Sequence, residues 1–354
     1  MAAWKKVKLP PSATLFDAIN LLEKQAIVGI ILITDAKDYL LGTVTDGDIR
    51  RALIAGKDTA SCIEEVMNRK PVVARGEVET HVIENLASLG NVTRVPILDN
   101  DGRVKGIQCT DTIAPKERGD NRVVIMAGGL GTRLKPITDN IPKPLVSVGG
   151  KPILERILEQ LQIQGFRNIT LAVYYKSEMI QEFFGDGSHW GLEISYIHEE
   201  KPLGTAGALG LLPSGLGSTP ILVLNCDLLT KINFRQLIDF HNEENATATV
   251  AARQYDIQVP YGVVKTKGAK VQGIEEKPVQ SHFVNAGIYV ISPQMLSFLK
   301  KDQRSDMPML IEEAIAKGHH VSMFPVHEYW LDIGAMPELS LARNQIKDNS
   351  DDWR

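Results

Sequence analysis

The sequence predicts an α/β protein whose larger part, from about residue 122 onward, contains a mainly parallel sheet covered by helices. Short apolar segments typical of buried strands occur at residues 169–174, 194–198 and 221–225. Helical patterns alternate with them, and one carries an apolar stripe at Ile153, Leu154, Ile157, Leu158 and Leu161. This alternation favours a parallel sheet, in which ligands bind beyond the carboxyl ends of the strands.

The composition is that of an ordinary globular protein with two or three domains. The chain has 354 residues, of which 44% are hydrophobic and 23% are charged. Its net charge of −4 argues against a nucleic-acid partner and against a membrane partner, so any anion site must be local. No signal-type apolar segment follows Met1. Because the three cysteines, Cys62, Cys109 and Cys226, are scattered, we expect a reducing, cytoplasmic location.

The first part of the chain contains an internal repeat. Residues 31–35 and 95–99 are similar apolar segments that each end in Asp and lie 64 positions apart. Three further pairs match at the same offset: Gly42 with Gly106, Ile19 with Ile83, and Leu22 with Leu86. Each copy predicts a helix, a strand, a turn, a second strand and a helix. Since one such copy cannot bury its own apolar face, we expect copies at about 1–60 and 65–116 to pair.

The end of the first copy, residues 42–53, resembles the end of a CBS motif, and two such motifs make a Bateman module. Many of these modules bind adenine or guanine nucleotides. The resemblance implies that Thr45 and Asp48 contact the ribose and phosphate of a regulatory nucleotide. The second copy has Cys109 and Thr112 at these positions, which argues against a second nucleotide site. The alternative is a dimerisation and docking surface. We also expect a homo-oligomer.

A glycine-rich loop follows the apolar segment 123–126 and reads Ala-Gly-Gly-Leu-Gly-Thr-Arg up to Arg133. Glycines let the backbone curl tightly and present N–H groups to an anion. Arg133 and Lys143, which lies between two prolines, add positive charge near the loop. The spacing fits neither the P-loop nor the dinucleotide fingerprint. The loop therefore predicts a polyphosphate site of another kind.

The pattern Gly129-x-Gly-Thr-Arg-Leu-x-Pro-x-Thr138, followed by Pro-Lys-Pro at 142–144, resembles the signature of sugar-1-phosphate nucleotidyltransferases. The resemblance implies a Rossmann-like, GT-A-like domain over residues 122–354, after a polar linker at 117–121. It also implies that a sugar phosphate oxygen attacks the α-phosphorus of a nucleoside triphosphate and releases pyrophosphate. Because that phosphate is already ionised near pH 7, catalysis should depend on positioning and charge neutralisation.

The resemblance assigns roles to charged and backbone groups around the loop. Arg133 would hold the β- and γ-phosphates, and Lys143 would hold the α-phosphate and the incoming sugar phosphate. The loop 200–209 would contact the base and the ribose. The nucleotide-binding residues implied in this way are Ala127, Gly128, Gly129, Gly131, Thr132, Gly204 and Thr205.

Two aspartates are candidate ligands for Mg²⁺. Asp227 follows the predicted strand 221–225, where a carboxylate beside a triphosphate would repel it unless a cation intervened. Asp332, in Trp330-Leu-Asp-Ile-Gly334, resembles the family's second metal ligand. The alternative for Asp332 is a helix cap.

Three segments between residues 261 and 287 resemble the family's sugar-side motifs: Tyr261-Gly-Val-Val264, Glu275-Glu-Lys-Pro278 and Asn285-Ala-Gly287. Lys277 would contact the sugar phosphate. The implied sugar-binding residues are Gly262, Glu276, Asn285 and Gly287, of which the glycines would permit close backbone approach.

The segment Pro202-Leu-Gly-Thr-Ala-Gly207 most resembles mannose-1-phosphate guanylyltransferases. With the CBS pair and no following hexapeptide repeats, the chain resembles the glucosamine-1-phosphate guanylyltransferases of legionaminic acid biosynthesis. GTP and glucosamine 1-phosphate are therefore the predicted substrates. The alternatives are mannose-1-phosphate guanylylation and thymidylyl or cytidylyl transfer. A different class is an inactive nucleotide-sensing protein, but the charged residues assigned above are all present.

Overall fold

The computed structural model describes residues 3–25, 29–76, 94–109, 121–213 and 215–348. The chain consists of two compact units, Met1–Arg118 and Gly119–Arg354. Within the described ranges, no helix combines the length and the apolar character needed to cross a bilayer.

The first unit contains two three-stranded sheets with the same strand order and orientation. In each sheet the first strand pairs in parallel with the second, and the second pairs antiparallel with the third. Its elements are β1 (Lys8–Leu9), α1 (Leu15–Lys24), β2 (Ile31–Thr34), β3 (Leu40–Val44), α2 (Asp46–Ile54), β4 (Ala74–Arg75), β5 (Arg94–Leu98) and β6 (Val104–Cys109).

The two sheets match in detail at the 64-residue offset. The β2–β3 register shifts after Ile33, and the β5–β6 register shifts after Ile97. Asp35 Oδ1 accepts backbone N–H bonds from the residues two and four positions later, and Asp99 Oδ1 does the same. The strands of the two predicted copies therefore share one arrangement, while the boundaries and the pairing of the copies stay predictions. The predicted helix around Ile83 and Leu86, Thr112, and residues 117–120 of the predicted linker lie outside the described residues.

The second unit is built around a seven-stranded sheet. The unit as a whole, including the two-stranded sheets outside this large sheet, contains the strands β7 (Val123–Met126), β8 (Ser147–Val148), β9 (Lys151–Pro152), β10 (Asn168–Val173), β11 (Glu193–His198), β12 (Ile221–Asn225), β13 (Leu228–Thr230), β14 (Ala248–Gln258), β15 (Val263–Lys267), β16 (Lys270–Glu275), β17 (Val279–Ile291), β18 (Val321–Val326) and β19 (Trp330–Asp332). Its helices are α3 (Ile137–Asn140), α4 (Ile153–Ile163), α5 (Ser177–Phe184), α6 (Gly204–Gly207), α7 (Phe234–Glu243), α8 (Met307–Ala316) and α9 (Met336–Asp348).

The order in this sheet is β11-β10-β7-β12-β17-β14-β18. The first four strands are mutually parallel, β17 runs antiparallel to both of its neighbours, and β18 is parallel to β14. The predicted mixed, mainly parallel sheet is confirmed. Because β7 and β12 are adjacent and parallel, the loop after Met126 and the residues after Asn225 emerge at the same edge.

Both faces of the sheet are buried, which explains why its strands read as continuous apolar segments. Val123 and Ile125 of β7 point into one hydrophobic cluster, and Val124 and Met126 point into another. All five apolar residues predicted as the stripe of α4 are buried in the first cluster. Burying each such side chain contributes about 1.5–3 kcal/mol.

One part of the second unit has no buried layer. Strands β14 and β17 extend past the sheet as a two-stranded ribbon, and β15 and β16 form a hairpin between them. Residues 253–284, here called the ribbon arm, include no buried residue. Apolar side chains on the arm are exposed, with Tyr261 74% and Ile274 69% accessible.

Candidate active site

The glycine-rich loop is shaped by contacts that only glycine permits. Gly131 has a φ of 63°, and a Cβ there would lie 2.9 Å from a methyl carbon of Thr138 and 3.2 Å from Lys143 Cβ. A Cβ on Gly128 would lie 2.6 Å from Glu199 Oε1. The loop is therefore held closely between the segment that contains Lys143 and the segment that contains Glu199.

A cleft of about 450 Å³ lies at this edge of the sheet. It is bounded by the glycine-rich loop, the loop after β11, the end of β12 and the turn after β19. The predicted site residues that line it are Gly128, Gly129, Gly131, Thr132, Arg133, Lys143, Gly204, Thr205, Asp227 and Asp332. Ala127 is buried at the base of the loop, where its N–H donates to Ala172 O at 2.8 Å.

Strand pairing brings the two candidate metal ligands together. Asp332 is the last residue of β19 and pairs with Leu228, the residue after Asp227. The N–H of Ile333 donates to the backbone oxygen of Asp227 at 2.9 Å. Asp332 is thus at a strand end and not at a helix cap.

The carboxylates of Asp227 and Asp332 meet the requirements of a divalent cation. The Oδ1 atoms of both are buried without a hydrogen-bond partner, a condition that only Glu338 Oε2 shares among the buried side-chain atoms of the described residues. A buried, unpaired carboxylate oxygen is costly unless a cation neutralises it. Hard divalent cations take such oxygen ligands. The observed donor set therefore fits a divalent metal ion.

Positive charges surround this acidic pair. Lys143 Nζ donates to Asp227 Oδ2 at 2.5 Å, and both side chains are largely buried. Burial, followed by the negative charge of Asp227, raises the pKa of Asp332 to about 6, while Lys143 and Arg133 oppose the shift. Arg133 lies against Gly334, where a Cβ would be 3.3 Å from its guanidinium. The cleft therefore combines two carboxylates with two cationic side chains, a composition suited to a metal–polyphosphate complex.

The cleft is also lined by a buried carboxylate that the sequence analysis missed. Glu199 is 8% exposed, and its Oε2 accepts the backbone N–H of Leu203 at 2.8 Å. Burial raises the pKa of this carboxyl, and the Leu203 hydrogen bond opposes the shift. Its Oε1 faces Gly128. The available signal was its position directly after the predicted strand 194–198 and one residue before the predicted base-contacting loop 200–209.

The predicted base-contacting loop is fastened to helix α8. The backbone N–H of Thr205 donates to Asp306 Oδ1 at 3.0 Å, and Met307 N donates to Thr205 Oγ1 at 2.8 Å. Gly204 has a φ of 81°, and a Cβ there would lie 2.5 Å from Asp306 Oδ1. The backbone N–H and the hydroxyl of Thr205 therefore hold the loop against the start of α8.

The predicted sugar-side residues are not among those that line the cleft. Gly262, Glu276 and Lys277 are exposed on the ribbon arm, where a Cβ on Gly262 would lie 2.9 Å from Glu276 Oε2. The sequence motif places these residues near one another, but the arm has no second layer to hold them at the cleft. Their contacts with a sugar remain predictions.

Asn285 and Gly287 lie nearer to the cleft, where β17 enters the sheet. Asn285 Nδ2 donates to the Tyr289 hydroxyl at 2.7 Å, and its Oδ1 accepts the N–H of Gly287 at 2.9 Å. A Cβ on Gly287 would lie 2.6 Å from the amide of Asn225, a residue that lines the cleft. Asn225 is thus a second lining residue that the sequence analysis did not single out.

In the first unit, the two predicted ligand contacts bond to each other. Thr45 donates to Asp48 Oδ2 at 2.8 Å through both its backbone N–H and its hydroxyl, which forms a capping box at the start of α2. Arg51 donates to Asp48 Oδ1 at 2.8 Å. Both Asp48 oxygens are therefore engaged within the helix, and contact with a nucleotide remains a prediction.

Comparison with known families agrees with this fold. The nucleotidyl transferase family model matches residues 122–349, and the CBS domain model matches residues 3–55. The chain belongs to the nucleotidyl transferase family. The predicted order of a CBS domain followed by a nucleotidyltransferase domain is confirmed.

The similar proteins are sugar-phosphate enzymes by name. A mannose-1-phosphate guanyltransferase of Yarrowia lipolytica is 36% identical over 222 residues, which cover 60% of each chain. The mannose-1-phosphate guanylyltransferase catalytic subunit beta of Drosophila pseudoobscura pseudoobscura is 35% identical over 219 residues, 60% of this chain and 59% of that protein. The match thus spans about 60% of the length of these relatives.

A crystal structure of HddC from Yersinia pseudotuberculosis, complexed with GMP-PN, superposes with a TM-score of 0.51 and 26% identity. The match covers 64% of this chain and 99% of HddC.

Proposed function

We propose that this chain is a sugar-1-phosphate guanylyltransferase, which joins GTP to a sugar 1-phosphate and releases pyrophosphate. The observation that carries the proposal is the cleft that combines Arg133, Lys143, Asp227, Asp332 and the buried carboxylate of Glu199. The family match supports nucleotidyl transfer, and the names of the relatives support a guanine nucleotide and a sugar phosphate.

The chain's own residues account for the reaction through charge and position. Arg133 presents a planar N–H fork suited to the β- and γ-phosphates of the nucleotide. Lys143 lies between the loop and the acidic pair, where it can stabilise charge on the α-phosphate as the sugar phosphate attacks. No buried general base is required, because the attacking phosphate oxygen is already an anion near pH 7.

Asp227 and Asp332 are the residues that would hold Mg²⁺. Their two unpartnered oxygens supply the carboxylate ligands, and phosphate and water oxygens would complete the coordination. The bound ion would neutralise triphosphate charge.

Glu199 favours guanine over the other bases. Guanine presents two adjacent donors, N1–H and the exocyclic amino group, and a carboxylate accepts such a pair through its two oxygens. The Oε1 atom faces the glycine-rich loop, and Oε2 keeps acceptor capacity beyond its bond to Leu203. Thymine and cytosine offer fewer adjacent donors, so thymidylyl or cytidylyl transfer is the weaker candidate.

For the sugar, we propose glucosamine 1-phosphate, following the resemblance to the legionaminic acid enzymes. Mannose 1-phosphate is the second candidate, because the relatives named above are mannose-1-phosphate guanylyltransferases. Glu276 on the ribbon arm would distinguish an amino sugar by pairing with its ammonium group.

Pyrophosphate release tests the proposal. Four triphosphates (GTP, ATP, dTTP and CTP) are each combined with glucosamine, mannose and glucose 1-phosphates in excess Mg²⁺, and the products are identified by mass spectrometry. We expect release with GTP and one of the first two sugars. A preference for dTTP or CTP would refute guanine selection, and binding without turnover would favour the inactive sensing protein.

We propose that residues 1–116 regulate the reaction and take no part in its chemistry, with any nucleotide bound at Thr45 and Asp48. Activity of the full chain should then respond to an adenine nucleotide, and Asp48→Asn should remove the response while it leaves basal turnover unchanged. A change of basal turnover would contradict the separation of roles.

A further inference from the structure

Lys143 and the candidate metal ion depend on the same carboxylate. Lys143 Nζ lies 2.5 Å from Asp227 Oδ2, with 9% and 17% of the two side chains exposed. Among the described residues, Asp227 is the only hydrogen-bond partner of the Lys143 ammonium. A buried ammonium and a buried carboxylate stabilise each other strongly because each would otherwise be an unpaired charge.

A divalent cation at the acidic pair would disturb this ion pair. The unpartnered Oδ1 atoms of Asp227 and Asp332 would place the cation on the carboxylate that Lys143 already neutralises. The two positive centres would then repel each other within a largely buried site, where screening is weak. Asp227 therefore cannot fully neutralise the Lys143 ammonium and the divalent cation at the same time.

The local structure lets Lys143 leave Asp227 without backbone movement. Pro142 and Pro144 flank the residue and fix the backbone, which forms a short 3₁₀ turn at Lys143–Leu145. The Lys143 Cβ lies 3.2 Å from the position that a Cβ on Gly131 would occupy, so the base of the side chain lies against the glycine-rich loop. Rotation of its four-carbon stem would move the ammonium from Asp227 towards a phosphate held by that loop.

We propose that Lys143 is an exchangeable cation: its ammonium neutralises Asp227 until the divalent ion arrives with the nucleotide, and the exchange then releases Lys143 to bind phosphate. The idea rests on the proposed function, since it assumes a metal–triphosphate at the cleft. It assigns Lys143 a second role, which couples metal binding to phosphate binding.

Metal affinity measures the competition directly. Mn²⁺ binding to the full chain is followed by electron paramagnetic resonance in the absence of nucleotide, for wild type and for Lys143→Met. We expect the variant to bind Mn²⁺ about tenfold more tightly, within the usual range of coupling between two sites. Lys135→Met is the matched control, because Lys135 pairs with Asp139 on the surface and its removal should leave Mn²⁺ affinity unchanged. Unchanged or weaker Mn²⁺ binding by Lys143→Met would overturn the exchange.

Phosphate affinity in the absence of metal provides the second test. Pyrophosphate is titrated calorimetrically into the full chain in excess EDTA. Asp227→Asn should bind it about tenfold more tightly than wild type, because Lys143 is released. Asp332→Asn removes the same charge but leaves the Lys143–Asp227 bond intact, so its gain should be clearly smaller.

The double variant Asp227→Asn/Lys143→Met separates release of Lys143 from simple loss of negative charge. We expect the gain in pyrophosphate affinity to disappear in this background. A gain that persists there, or an equal gain in Asp332→Asn, would overturn the proposal. Since these measurements record binding alone, their failure is distinct from failure of the pyrophosphate-release assay, which tests the proposed function.

Discussion

The nucleotide side of the cleft and the ribbon arm differ in how their residues are held. On the nucleotide side, strand pairing brings Asp227 and Asp332 together, and Glu199 is held by a backbone N–H. On the ribbon arm, Glu276 and Lys277 are exposed in the bend between β16 and β17, where no buried layer covers them. A two-stranded ribbon is only marginally stable by itself. The difference indicates a nucleotide site that is formed in advance and a sugar site that depends on the arm.

The largest expected effect tests the nucleotide side. Lys143→Ala should lower kcat by a factor on the order of 10²–10³, the usual loss when one preorganised charge contact to a transition state is removed. The assay is steady-state pyrophosphate release, with circular dichroism to check folding. A folded variant with less than about a tenfold loss would show that this wall of the cleft does not carry the chemistry.

The next effect concerns base selection. Glu199→Gln replaces an acceptor-only carboxylate by an amide that presents a donor to guanine, so kcat/KM for GTP should fall by about 10²-fold. The loss for dTTP should be much smaller. Competition between GTP and dTTP at equal concentrations gives the ratio directly. Equal losses for both nucleotides would remove Glu199 from base recognition.

Sequence reasoning predicted those features that local backbone geometry determines. The strands, the α4 stripe and the tight loop at Gly131 follow from apolar periodicity and from glycine spacing. Glu199 was missed because its position opposite Gly128 depends on the order β11-β10-β7, and no local pattern encodes sheet order. For Glu276 and Lys277 the alternative to a sugar contact was a solvated turn, and the motif could not decide between the two, since a motif specifies neighbours along the chain and not the layer that covers them.

The buried beginning of β14 provides a contrast with its exposed end. His241 of α7 is 2% exposed and hydrogen-bonds through its ring nitrogens to Thr249 and Ser292. Burial lowers the pKa of His241 from 6.5 to about 4. Between these pH values His241 stays neutral in the folded chain but binds a proton in the unfolded chain. The contribution of the neutral, buried His241 to the free energy of unfolding is therefore fully present above pH 6.5 and is lost as the pH falls towards 4.

Urea denaturation at pH 7 and pH 5 tests this assignment. We expect the free energy of unfolding to fall between these values by on the order of 2 kcal/mol more in wild type than in His241→Gln. Equal pH dependence in the two proteins would mean that His241 titrates normally in the fold.

The smallest expected effect lies on the ribbon arm. Lys277→Ala should raise the KM for the sugar 1-phosphate by about tenfold, the loss of one charge-assisted hydrogen bond. The KM for GTP should stay constant. Lys267→Ala, on the hairpin of the same arm, is the matched control and should change neither KM. A rise in the KM for GTP with Lys277→Ala would contradict the division between the two sides.

Calorimetric titration with Mg²⁺ and GTP, in the absence of any sugar phosphate, tests the central claim most directly. The titration compares wild type, Lys277→Ala and Arg133→Ala. A nucleotide site formed in advance predicts that wild type and Lys277→Ala bind GTP with equal affinity and that Arg133→Ala binds at least about tenfold more weakly. Failure of wild type to bind GTP without sugar phosphate, or loss of binding in Lys277→Ala, would contradict it.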